Sequence, residues 1–167
     1  MPSSNRSSPE GAVPKLAPGA KVPDFALPAT GGGTFSLADA AGRKLVIYFY
    51  PRDMTSGCTR ESQDFRDLDK AFRKAGTRVV GVSRDSLASH EKFAARESLP
   101  FPLLADTDER LCRLFDVIKP KSLYGRKYLG VERSTFLLDS SGRLQREWRK
   151  VKVPGHAEEV LEAAQRL

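Results

Sequence analysis

The sequence has two cysteines, two histidines and one tryptophan in 167 residues, and no unbroken apolar run longer than the six residues Leu45 to Tyr50. Two cysteines cannot build the disulfide framework of a small secreted scaffold. Cys58 and Cys112 with His90 and His156 have no zinc-site spacing, and no orienting partner for a Cys-His hydrolase is identifiable. A six-residue run is far short of the roughly 20 needed to span a membrane, so no membrane role is expected. Met1 to Arg6 lacks the apolar core of a secretory signal, so the expected setting is reducing and cytoplasmic. Gly31-Gly32-Gly33 has no following Lys-Ser/Thr and reads as a turn, not a phosphate loop.

What is abundant is basic charge, and it is unevenly placed. The formal net charge is +7, and residues 119 to 152 hold ten Lys or Arg against three Asp or Glu, which accounts for all of it. Such a stripe could hold nucleic acid or an acidic partner by counterion release. Its aromatics lack any nucleic-acid motif spacing, so the favoured reading is a solvated hairpin whose cations protect a sheet edge.

Residues 1 to 20 contain four Ser, four Pro and two Gly with few large apolar groups, the composition of a disordered tail. One domain is expected from 21 to 167. Phe25 to Leu27 and Thr34 to Leu37 around the glycine turn suggest a hairpin or an extended entry segment. Leu45 to Tyr50, apolar on both faces, suits a central strand covered by helices on each side. Phe65, Leu68 and Phe72, closed by Gly76, predict one helix of about 17 residues. Strands at 78–83 and 103–105, helices at 86–97 and 109–115, a hairpin at 133–139 and 143–151, and a closing helix at 156–166 follow. This order predicts an α/β thioredoxin-like fold with a central mixed β-sheet flanked by helices. Both histidines read as surface residues.

The loop after the central strand, Pro51-Arg52-Asp53-Met54-Thr55-Ser56-Gly57-Cys58-Thr59, places Cys58 at a helix N-terminus, where unpaired N–H groups and the dipole favour an anion. The anionic form of cysteine is the nucleophile. Thr55 stands where a dithiol motif would carry its first cysteine, so the chemistry implied is attack by a single sulfur, with a hydroxyl able to bond the thiolate or a bound hydroperoxide.

Pro51-x-x-x-Thr55-x-x-Cys58 resembles the active-site motif of the peroxiredoxins. Together with Gly81-Val82-Ser83-Arg84-Asp85, Gly130 to Leu137 and Trp148 to Val151 it is similar to the bacterioferritin-comigratory or peroxiredoxin Q branch. The resemblance implies a thiol peroxidase reducing hydrogen peroxide and organic hydroperoxides through a sulfenic acid on Cys58. Thr55 would hold thiolate and peroxide, Pro51 would shield the pocket, and Arg133 would polarise the oxygen–oxygen bond. Spacing alone does not single out Arg133 among seventeen arginines.

The chain departs from the branch where a resolving cysteine is usual, carrying Gln63 and Ala94 instead, and has Ser56 where proline is common. Cys112 is the remaining candidate for resolution, although Leu111, Leu114 and Phe115 around it suggest a half-buried structural thiol. The expectation is therefore a one-cysteine-like monomeric enzyme, re-reduced by thioredoxin, glutaredoxin or a small thiol, with no metal or other cofactor. The alternative is a thioredoxin-fold binding or chaperone module without turnover.

Overall fold

The computed structural model describes residues 16–167. The expected tail falls outside the described residues up to residue 15, but residues 16–20 lie against the domain. Gly19 N–H donates to the Leu144 carbonyl at 2.6 Å, and Leu16 packs on the core.

A hairpin of β1 (Ala26–Pro28) and β2 (Thr34–Ser36) turns at three glycines that all have positive φ. A short 3₁₀ turn, Leu37–Ala40, leads into β3 (Lys44–Phe49). Next come helices α1 (Ser56–Asp67) and α2 (Asp69–Lys74), strand β4 (Thr77–Ser83), helix α3 (Leu87–Glu97), strand β5 (Leu103–Ala105) and helix α4 (Arg110–Leu114). A second hairpin, β6 (Ile118–Leu123) and β7 (Arg126–Val131), precedes β8 (Ser134–Leu138), β9 (Leu144–Trp148) and helix α5 (His156–Arg166). The main sheet has the order β5-β4-β3-β8-β9, with β3, β4 and β5 parallel and β8 and β9 antiparallel to their neighbours. This is the expected mixed α/β architecture. Among the described residues no helix is long and apolar enough to cross a membrane.

Strand alternation divides the core into two. Leu45, Ile47, Phe49, Val80, Val82 and Phe136 face the β1–β2 hairpin and α4, whereas Val46, Tyr48, Tyr50, Val79 and Leu137 face α1, α2, α3 and α5. Both sides of β3 are thus covered, the reason its sequence is apolar throughout.

Three expectations are corrected. The single 17-residue helix is two, broken at Leu68 (φ −102°, ψ 3°), whose N–H donates to the Phe65 carbonyl at 3.2 Å and so closes α1 in a tighter turn. Neither histidine is on the surface: His90 is 0% and His156 5% exposed, each held by buried polar partners. Cys112 is wholly buried, not half-buried. Within the basic stripe, expected to form a solvated hairpin, residues 118–131 form a separate hairpin, β6–β7, whose alternation is interrupted by Pro120 and which exposes Leu123 and Leu129.

Candidate active site

The C-terminal end of β3 delivers the chain into the loop 51–55, which buried polar groups hold on several sides. Tyr50 hydroxyl donates to Asp53 Oδ1 at 2.6 Å, and Asp53 Oδ2 meets His90 Nδ1 at 2.7 Å and the Ser89 hydroxyl at 2.8 Å. His90 Nε2 donates to the Leu104 carbonyl at 2.9 Å, and Asp53 N–H donates to Asp85 Oδ2 at 2.8 Å. Burial works against the Asp53 carboxylate, but the bonds from His90, Tyr50 and Ser89 outweigh it and hold its pKa below the ordinary value. Asp53, Asp85 and His90 bring ligand-type atoms within 4.8 Å of one another. Both oxygens of Asp53 and both nitrogens of His90 are already committed within the protein, so this cluster fastens the loop to β4, α3 and β5. Neither Asp53 nor His90 was singled out as a site residue from the sequence. The signal for them is the short spacing from Tyr50 to Asp53, which is meaningful only once the partner helix is placed.

Thr55 is the N-cap of α1, with extended backbone (φ −79°, ψ 157°) and no side-chain capping bond. Its exposed hydroxyl donates to the Arg52 carbonyl at 3.1 Å and is not bonded to Cys58. Met54 before it takes a left-handed φ of 66°, a conformation costly for a side-chain-bearing residue and common in functional loops. Pro51 is half-buried beside this turn.

Cys58 is the third residue of α1 and 1% exposed. Arg133, in the two-residue link between β7 and β8, donates from Nη2 to Cys58 Sγ at 3.4 Å and from Nη1 to Glu61 Oε1 at 2.6 Å. Its own backbone carbonyl accepts from Val151 N–H at 3.0 Å, which anchors the guanidinium from the rear. The structure therefore brings Cys58 and Arg133, 75 positions apart, into contact. Gly57 completes the arrangement by space, not torsion: a Cβ there would lie 3.2 Å from Arg133 Nη2. Glu61 is 1% exposed, and its Oε2 has no hydrogen-bond partner. Burial pushes its carboxyl up to about 7 against the opposing pull of Arg133. Lys121 on β6 lies within electrostatic reach of Arg133 and Cys58, and burial is the main influence holding its pKa below the ordinary value. Its stem crosses Gly130, where a Cβ would come within 3.0 Å of Lys121 Cδ.

The other thiol is elsewhere. Cys112 belongs to the cluster on the α4 side of the sheet, with Phe115 and Phe136, while Cys58 belongs to the cluster on the opposite face with Tyr48 and Phe65. Both are free thiols. Gln63 on α1 donates to Glu97 Oε1 at 2.8 Å, a hydrogen bond between α1 and α3, the helix that carries Ala94.

Residues 18–147 match the family model described as AhpC/TSA. Peroxiredoxin Bcp of Xanthomonas campestris is 54% identical over 140 residues, spanning 84% of this chain and 88% of that protein. Peroxiredoxin Bcp of Bacillus subtilis is 49% identical over 144 residues, spanning 86% and 92%. The chain is a peroxiredoxin of the AhpC/TSA family. Among solved structures, peroxiredoxin Q of Xanthomonas campestris superposes with a TM-score of 0.81 at 53% identity, covering 85% of this chain and 90% of that one. Peroxidoxin BcpB of Mycobacterium tuberculosis superposes at 0.80 with 30% identity, covering 91% and 98%. This peroxiredoxin thus falls in the Bcp or peroxiredoxin Q branch and is a thiol-dependent peroxidase, an oxidoreductase that acts on peroxide through a cysteine. The alternative of a binding module without turnover is not favoured.

Proposed function

We propose that Cys58 is the peroxidatic nucleophile, and the contact that carries this reading is Arg133 Nη2 at 3.4 Å from Cys58 Sγ in the first turn of α1. The thiolate sulfur attacks the nearer oxygen of ROOH; the S–O bond forms as the O–O bond breaks, and the alkoxide or hydroxide leaving group takes a proton from solvent. Arg133 and the N-terminal amides of α1 face the charge that develops on the oxygens. Thr55 positions the peroxide by turning its hydroxyl from Arg52, and Pro51 keeps water from the pocket. The substrates are hydrogen peroxide and organic hydroperoxides. Organic peroxides are supported by the alkyl peroxide reduction activity of the Xanthomonas campestris bacterioferritin comigratory protein, 52% identical to this chain.

The sulfenic acid on Cys58 is resolved from outside the chain. Gln63 and Ala94 offer no sulfur, and Cys112 lies across the sheet, so a disulfide with Cα atoms within about 7 Å would require unfolding of core elements. The protein works as a one-cysteine monomer in a reducing, cytoplasmic setting, re-reduced by thioredoxin, glutaredoxin or a small thiol. Intact-mass measurement after one equivalent of peroxide tests both statements. Wild type and Cys112→Ser are expected to gain one oxygen alike, and excess peroxide to add a second on the same residue. A rapid loss of two hydrogens by wild type, absent in Cys112→Ser, would make Cys112 the resolving residue.

A further inference from the structure

Beyond its base, where Ile118 and Val131 join the core, the β6–β7 hairpin is little covered by the protein's own packing. Its strands pair with each other and make few contacts with any other element. A two-stranded ribbon is marginal by itself and normally hides its apolar side chains against something. Here Leu123 (55% exposed), Tyr124 (96%), Tyr128 (47%) and Leu129 (55%) stand in solvent; among the described residues the other exposed large apolar side chains are only Met54 and Leu167. Leu123, Tyr124, Arg126, Lys127 and Tyr128 line a cleft of about 500 Å³. Leu123 and Tyr128 share one face of the ribbon and Leu129 lies on the other, and exposed apolar groups gathered around a cleft mark interaction surfaces.

Two further features identify what would cover it. From Ile118 to Val131 there are four cations, Lys119, Lys121, Arg126 and Lys127, and no acidic residue, so a second copy of the ribbon would set cation against cation. The ribbon also borders the reactive sulfur: β7 runs into Arg133, which touches Cys58, and Arg84 at the end of β4 reaches the Leu129 carbonyl at 3.5 Å. Lys121, on the same face of the ribbon as Leu123 and Tyr128, lies within electrostatic reach of Cys58, so a partner that comes to the sulfur comes up beside this face.

We infer that the β6–β7 hairpin is the docking surface for a protein thiol reductant with an acidic, partly apolar face. The inference rests on the proposed resolution of Cys58 by an external thiol and names its chemistry. The partner's thiolate attacks the sulfenic sulfur, forming S–S and expelling hydroxide, which leaves as water. The partner's second thiol then attacks its own sulfur of the mixed disulfide, releasing Cys58 thiolate; the dithiol supplies both electrons and ends as a disulfide. Tyr124 and Tyr128 would supply anchoring area while Arg126 and Lys127 steer the approach.

The experiment uses the full chain and two hairpin variants, Arg126→Glu with Lys127→Glu, and Tyr124→Ser with Tyr128→Ser. Each is oxidised with one equivalent of peroxide and then re-reduced either by a reduced acidic thioredoxin or by dithiothreitol. Thioredoxin-driven re-reduction of wild type is expected to slow as salt rises. Both variants are expected to lose at least tenfold of that rate, the charge variant to lose its salt dependence, and both to keep the dithiothreitol rate, which shows them folded and active. A thioredoxin rate in both variants within twofold of wild type overturns the inference, as does wild type that answers to dithiothreitol but not to thioredoxin. Loss of binding to a duplex DNA oligonucleotide without loss of thioredoxin rate would transfer the surface to nucleic acid. Wild type that consumes no peroxide even with dithiothreitol would instead defeat the Cys58 reading.

Discussion

Cys58 and Cys112 differ less in setting than in the roles proposed for them. Each is buried, and each is the third residue of a helix, Cys58 in α1 and Cys112 in α4. The difference lies in what occupies the helix N-terminus. At α4 the Asp106 carboxylate accepts from Leu111 N–H at 3.1 Å and Cys112 N–H at 2.7 Å, so the anion position is already filled. Burial, with the nearby Asp106 charge adding to it, pushes the Cys112 thiol far above the ordinary range. At α1 the N-cap makes no side-chain bond to the helix amides, and a guanidinium stands against the sulfur. A helix N-terminus does not by itself make a cysteine reactive; what matters is whether a resident carboxylate or an incoming anion takes the site.

The largest effect that could break this comparison is removal of each sulfur. Cys58→Ser is expected to lower peroxide turnover by more than about 10³-fold, since an alcohol supplies almost no anion at neutral pH, while Cys112→Ser leaves turnover with dithiothreitol within about twofold. Comparable losses from both would end the distinction. Next is the cation. Arg133→Met removes the donor to Cys58 and leaves Glu61 buried without its counter-ion, and a loss of roughly 10²–10³ in the second-order rate with peroxide is expected, the scale of deleting one donor to a developing anion. Stopped-flow measurement against hydrogen peroxide checks it, and an unchanged rate would detach Arg133 from the chemistry.

The Arg133 surroundings also contain two groups whose titrations oppose each other. Burial first, with Arg133 adding and Glu159 opposing, holds His156 down at about 4, so its contribution to stability is present above its ordinary value near 6.5 and lost as pH falls toward 4. Burial holds Glu61 up at about 7, so its contribution is present below its ordinary value of 4.5 and lost as pH rises to 7. Between pH 4.5 and 6.5 the two slopes have opposite sign and nearly cancel. Glu61→Gln is expected to expose the histidine term, losing roughly 2–3 kcal/mol over that interval, or about 5–10 °C in Tm. His156→Gln should show the reverse slope. Thermal unfolding at the two pH values decides, and parallel curves for wild type and Glu61→Gln would refute the opposition.

The sheet strands, the motif loop and the closing helix were legible because each rests on local patterning: a strand apolar on both faces, a turn of glycines, a cysteine following a loop. What was illegible was whatever depended on a distant partner. Arg133 has meaning only because β8 pairs with β3 and sets its side chain beside α1. His90 and His156 looked like polar surface residues because nothing nearby in the chain announces Asp53 or Thr135 as partners. Gly57 and Gly130 have ordinary torsions, so no turn signature marks them; they are small to admit Arg133 and Lys121. The separate hairpin of β6 and β7 carries no clear alternation for the same reason that it is of interest, its apolar groups beyond the base being exposed.

The smallest expected effect concerns Thr55, where the motif and the geometry differ. The motif places its hydroxyl on the sulfur or the peroxide, whereas here Oγ1 donates to the Arg52 carbonyl and no bond to Cys58 is formed. The two are reconciled if the hydroxyl serves substrate and not the resting thiol. A hydroxyl donating to Arg52 keeps its lone pairs free to accept from a peroxide O–H, and rotation about χ1 can redirect the donor when an oxygen arrives. Thr55→Val preserves shape and removes only this bond, worth about 1.4 kcal/mol or tenfold in rate. The loss should appear in the second-order rate with peroxide and be absent from alkylation of Cys58 by iodoacetamide, which presents no O–H. Equal losses in both reactions would mean that Thr55 acts on the thiol itself, and no loss in either would make it only the N-cap of α1.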